Sequence, residues 1–169
     1  MTTANEVSFV VPPLISAPPR FANLSVLGRL LNLLIAAACL AVLILAFRLS
    51  PSPSGVGTHT ELHMEKCAWL ERVGIPCPSC GMTTSFSWYV RGNVLASFYV
   101  QPAGCIAALI TTIVFWITLY AAITGKPVAE LLHRLPAKYT WTAVLVLTMA
   151  AWGWKIFIHL QAMDGWHVQ

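Results

Sequence analysis

From Leu30 to Phe47 the chain carries no charge, and Arg29 and Arg48 bracket the run. In lipid a backbone must satisfy its own N–H and C=O groups, so such a run has to be helical. With Leu24 to Gly28 in front of it, a helix over about 24–49 is long enough to cross ~30 Å at 1.5 Å per residue. The two arginines can snorkel to opposite interfaces. Two more stretches behave alike. Ala103 to Ile123 is uncharged, and Pro102 before it suits a first helical turn, where its missing N–H costs nothing. Tyr139 to Leu160 contains Lys155, close enough to its polar end to snorkel. These runs predict spans over 103–123 and 139–160, with Trp141, Trp152 and Trp154 as interface belts.

Composition agrees. The chain is 57% hydrophobic and 9% charged, against about a quarter charged in a soluble domain. Its net charge of +4 is too thinly spread for a nucleic-acid footprint and reads as loop charge on a membrane protein. No phosphate-binding glycine loop, serine–histidine–acid set or paired intramembrane carboxylates occur, which argues against a pump or a hydrolase. No internal repeat points to a transporter of duplicated halves.

The expected fold is therefore an all-α integral membrane protein. Three transmembrane helices form one membrane domain over 23–160, with one or two short interfacial helices in a cysteine-containing loop over 50–102. Residues 1–22, with Pro12, Pro13, Pro18 and Pro19, read as a mobile tail rather than a cleavable signal peptide, because the apolar run begins too late and is too long. Residues 161–169 form a polar tail. Three spans put the cysteine loop and the C-terminus on one side and the basic 124–138 connection on the other. Within the loop, Leu62, Trp69 and Leu70 suggest one short surface helix over His59 to Arg72. Thr83 to Val90 suggests another, capped by Ser79 or Thr83.

Cys39 and Cys105 lie in or beside apolar runs and read as small buried hydrophobes. Cys67, Cys77 and Cys80 sit together in the polar loop, the last two in Cys77-Pro78-Ser79-Cys80-Gly81-Met82-Thr83-Thr84. Three chemistries fit them. As a redox pair, Cys77 would attack and Cys80 resolve, with the thiolate favoured by a helix N-terminus and with a quinone as a possible electron route. As a zinc knuckle, His63, Cys67, Cys77 and Cys80 supply four ligands for a tetrahedral ion. As a staple, one disulfide among Cys67, Cys77 and Cys80 closes the loop and leaves one thiol over.

The run Cys67, then Gly74-Ile75-Pro76-Cys77-Pro78-Ser79-Cys80-Gly81-Met82-Thr83, then Arg91-Gly92-Asn93 and Gln101-Pro102 resembles the bacterial membrane-protein family called domain of unknown function 2752. Three positions depart from that family's pattern: Thr84 replaces an arginine, Asn93 an aspartate and Gln101 an asparagine. The resemblance implies a small helical protein of a bacterial cytoplasmic membrane and carries no assigned activity. The sequence is read as a non-catalytic membrane subunit or assembly protein working through lipid and other membrane proteins, without nucleic acid and needing no cofactor. A thiol–disulfide oxidoreductase on Cys77 and Cys80 and a structural zinc knuckle are the alternatives.

Overall fold

The structure is a computed structural model, and it describes residues 23–65, 67–126 and 137–166. The N-terminal tail and most of the 124–138 connection lie outside those residues. The described residues are helical with no strand: α1 Val26–Arg48, a short 3-10 helix Thr58–Leu62, α2 Ala68–Val73, α3 Met82–Val90, α4 Val94–Val100, α5 Pro102–Thr124 and α6 Ala137–Leu160. Three of these, α1, α5 and α6, are long and apolar enough to cross a membrane, with mean hydropathies of 2.8, 2.2 and 1.6. The third is lowest and carries Lys155, His159 and two tryptophans at its C-terminal end.

Helices α1 and α5 form the central antiparallel pair. The Ser25 side chain caps α1 by accepting from Gly28 N–H at 3.2 Å. At that end Leu24 N–H donates to the Gly125 carbonyl at 2.7 Å. Gly125 ends α5 at φ +71, and the Arg29 guanidinium lies directly against it. A cation there complements the carbonyl end of a helix. Buried positions on the two helices are mostly small: Ala36 and Ala46 on α1, and Gly104, Cys105, Ala108 and Ala121 on α5. Small residues let helix backbones approach in lipid, where burying leucine gains little. Leu34, Ile110 and Trp116 point outward and are exposed, as lipid-facing residues should be.

The loop between α1 and α5 folds onto the other end of this pair. Ser87 on α3 donates to carbonyls in the last turn of α1, Ala46 at 2.7 Å and Leu49 at 2.6 Å. Arg91 reaches the same turn, with Nη2 donating to the Phe47 carbonyl at 2.9 Å and the guanidinium 5.5 Å from the Phe47 ring. Carbonyls that a helix end leaves without partners are thus satisfied by α3. Ser85 Oγ lies 2.9 Å from the Ser97 carbonyl and 3.1 Å from the Gln101 carbonyl, tying α3 to α4 and α5.

Four local expectations are corrected. The single surface helix over 59–72 is two pieces, because His63 turns left-handed at φ +58 and ends the 3-10 helix. Neither Ser79 nor Thr83 caps α3; its cap position is Gly81 at φ +88. The Thr84 hydroxyl is buried against that of Thr58 at 2.8 Å. Lys155 does not snorkel: it is fully buried. Trp152 and Trp154 do not simply rest at an interface, since their indole N–H groups donate to Pro76 and Tyr99 carbonyls at 2.9 and 2.8 Å. These bonds, with the Tyr99 hydroxyl donating to the Met163 carbonyl at 2.9 Å, hold the C-terminal end of α6 against the loop.

Asn93 and Gln101 each have a defined place. Asn93 caps α4 by accepting from Ala96 N–H at 3.0 Å, as an aspartate would. Gln101 is buried and donates to the Pro78 carbonyl at 2.9 Å.

Gly104 is where α5 meets α3. A Cβ there would stand 2.8 Å from Ser85 Cβ and 3.3 Å from Met82 Cα. Ser85 is held by its own hydrogen bonds and the Met82 atom is backbone, so neither yields readily. Gly104→Val is expected to cost about 1–3 kcal/mol through overpacking, read as a lower thermal midpoint in detergent. An unchanged midpoint would show that the two helices are not packed this closely.

Candidate functional site

The cysteine knuckle is built by two tight turns. Cys80 N–H donates to the Cys77 carbonyl at 3.0 Å and Met82 N–H to the Ser79 carbonyl at 3.1 Å. Gly81 must be glycine on two grounds: its positive φ, and the Gly55 carbonyl oxygen 2.8 Å from where a Cβ would sit. Trp152 holds Pro76 and Gln101 holds Pro78, so α6 and the start of α5 fix the residues on either side of Cys77. Cys67 comes from a separate segment, at the N-cap position of α2.

Folding brings these three cysteines together. The sulfurs of Cys67, Cys77 and Cys80 all lie within 4.8 Å of one another. Cys77 Sγ is 3.2 Å from Cys80 Sγ and 3.2 Å from Ser79 Oγ. All three are thiols in this structure, as are the half-buried Cys39 and the buried Cys105. His63 is exposed at the end of the 3-10 helix and does not belong to the cluster. His59 lies closer, lining the same cavities as Cys67 and Cys80.

The two cysteines of the pair differ in acidity. Burial raises the Cys77 thiol, but hydrogen bonds from the Ser79, Cys80 and Cys67 side chains and from the Ser79 backbone outweigh it, leaving Cys77 lowered to about 7. Burial is also the largest influence on Cys80. With its proton shared toward Cys77 and Cys67, Cys80 is raised to about 12. The source of the acidity differs from the expected one, because α3 begins only at Met82, past both cysteines. Ser79 is the residue that sequence reasoning assigned wrongly, as a helix cap rather than a thiolate donor. Ser79→Ala is expected to shift the pH midpoint of Cys77 alkylation upward from about 7. The sign follows from the bond, which favours the charged form. An unmoved midpoint in a pH series of iodoacetamide labelling would contradict it.

Two cavities meet at the cluster. One, of about 310 Å³, is flanked by Ser52, Ser54, Thr60 and Glu71 and reaches Cys67 and Cys80. The other, of about 560 Å³, is walled by Val42 and Leu45 of α1, by Leu49 just beyond it and by Met82 and Phe86 of α3, and it reaches all three cysteines. Behind Gly81 lies a buried ion pair. Lys155 Nζ sits 3.1 Å from Asp164 Oδ1 and donates to the Gly55 carbonyl at 3.3 Å, while His159 Nδ1 contacts the other Asp164 oxygen. The signal for this group was present in the sequence as an ionisable residue inside an apolar run, with an acid shortly after the helix.

Residues 67–116 match the model of the family described as protein of unknown function DUF2752. The resemblance drawn from the cysteine motif holds over that segment, which starts at Cys67 and runs into α5. No curated protein and no solved structure matches the chain.

Proposed function

We propose that this membrane protein is a thiol–disulfide exchange protein whose working groups are Cys77, Cys80 and Cys67. One observation carries the reading: three sulfurs from two separate segments converge within 4.8 Å, with Cys77 and Cys80 at 3.2 Å. A disulfide staple needs only two of them. The same three sulfurs could hold a metal ion with water as the fourth ligand; the expected fourth protein ligand, His63, lies outside the group.

The point of attack follows from exposure, since Cys77 is half-buried and Cys80 buried, and the final release from the acidity of Cys77. In the oxidised chain, a thiolate of a partner dithiol attacks the more exposed Cys77 sulfur. The Cys77–Cys80 bond breaks, Cys80 leaves and takes up a proton, and a mixed disulfide forms. The partner's second thiolate then attacks its own sulfur in that bond. Cys77 leaves as a thiolate, which its low pKa makes a good leaving group. The partner is oxidised to a disulfide and the chain is reduced to two thiols. Cys67 stands where its thiolate can attack Cys77 Sγ in the mixed disulfide, forming a Cys67–Cys77 bond as the partner's thiolate leaves.

The test is to mix the purified full-length chain, after mild oxidation, with a fluorescent dithiol peptide. Peptide disulfide should appear with catalytic turnover once an oxidant regenerates the chain. Given the peptide in its disulfide form, a Cys67→Ser, Cys80→Ser double variant should stall as a Cys77–peptide mixed disulfide, with one peptide thiol released, visible by mass spectrometry. Neither turnover nor adduct, or one tightly held zinc per chain, would overturn the reading.

A further inference from the structure

Resting on that reading, we infer that the 560 Å³ cleft is the site of a lipid-dissolved quinone that takes the electrons of the Cys77–Cys80 pair. The cleft opens between the end of α1 and the loop, where His59, Met64 and Glu65 also line it. Its α1 wall is the end of a membrane-spanning helix, at Val42, Leu45 and Ala46. An occupant of that cleft has a route in from the bilayer along this wall. The volume lies within the ~300–1,000 Å³ of small-molecule sites, which are mostly apolar with a few placed polar groups. Here the polar groups include the Thr83 hydroxyl on α3 and the sulfurs of Cys77 and Cys80.

The occupant's chemistry is set by the sulfurs. A reduced dithiol regains its disulfide only by giving up two electrons and two protons to an acceptor. Cys77 and Cys80 both face the apolar cleft, whereas the more polar 310 Å³ cavity reaches Cys80 and Cys67 without Cys77. A flat, apolar, two-electron acceptor with ring carbonyls fits these conditions. The Cys77 thiolate adds to a ring carbon and forms a C–S bond. Cys80 gives up its proton, and its sulfur attacks Cys77 Sγ. The S–S bond forms as the C–S bond breaks, and the electron pair stays on the ring. The two protons released by Cys77 and Cys80 complete the hydroquinone. Two thiols and one quinone thus become one disulfide and one hydroquinone.

The experiment uses the reduced full-length protein in detergent, freed of reductant, with decylubiquinone as the probe. The expected result is loss of one quinone per chain together with two thiols, the disulfide mapping to Cys77 and Cys80. Leu45 is about half exposed, so Leu45→Trp should fold while filling the cleft. It is expected to raise the decylubiquinone concentration for half-maximal oxidation about tenfold or more. A wild-type chain that exchanges with the dithiol peptide but leaves decylubiquinone oxidised overturns the quinone assignment and spares the exchange reading. A chain inert to both overturns the two together. Equal quinone dependence in Leu45→Trp and wild type also overturns the cleft, because the quinone would then be reacting elsewhere on the surface.

Discussion

Cys77→Ser is expected to abolish peptide-disulfide turnover while leaving the helical fold in place. A serine oxygen cannot enter a disulfide, and the remaining partner of the pair, Cys80, is buried. The same substitution should remove the fast, pH-sensitive phase of alkylation. In the wild-type chain that phase should rise through pH 7 as Cys77 loses its proton, well below the range of an ordinary thiol near 8.5. Cys80→Ser should behave differently. With the peptide supplied as its disulfide, the Cys77 thiolate still attacks and releases one peptide thiol, so a Cys77–peptide adduct should form, with Cys67 left as the nearest thiol to resolve it. Turnover that survives Cys77→Ser would transfer the nucleophilic role to Cys67.

The largest stability effect is expected from Asp164. Its carboxylate is the counter-charge for Lys155, which is completely shielded from solvent inside the C-terminal half of α6. Removing one member of a buried pair leaves the other charge uncompensated, which costs about 3–5 kcal/mol. Asp164→Ala should lower the thermal midpoint in detergent sharply. It should also loosen the knuckle, because the Lys155 side chain packs behind Gly81 and bonds Gly55. A Lys155→Met, Asp164→Leu double replacement should recover much of the loss, since an apolar pair of similar volume removes the stranded charge. If Asp164→Ala is as stable as wild type, the pair is not the anchor of α6.

Much of the fold could be read from hydropathy. Uncharged runs around Leu30 and Ala103 leave a chain in lipid no alternative to a helix, and Pro102 and Gly125 fall at the two ends of α5 as their backbone preferences require. Short elements were less legible. Nothing local separates the 3-10 helix at Thr58 from α2 at Ala68, because the break depends on His63 adopting a left-handed turn that sequence does not demand. The cap of α3 was misassigned for a similar reason. Ser79 and Thr83 are good cap residues in isolation, but the tertiary approach of Gly55 selects Gly81 for that position.

The site was legible in part. The spacing of Cys77 and Cys80 singled them out, and Cys67 was included as a possible partner. Its convergence with them depends on how α2 folds back, a long-range fact. His63 fits zinc spacing on paper yet ends on an exposed turn. Lys155 looked free to reach the interface, since a lysine near a helix end usually can. Its burial depends on Asp164, which lies beyond the helix and folds back toward Gly55.

The most direct test of a three-sulfur exchange centre is a redox titration of the full-length protein. The chain is equilibrated across glutathione buffers, trapped with acid, and its thiols counted and mapped by mass spectrometry. The account predicts that two thiols among Cys67, Cys77 and Cys80 disappear together in one transition, with Cys77 in the disulfide and the third cysteine still alkylatable. Three thiols that stay reduced across the whole range would contradict it.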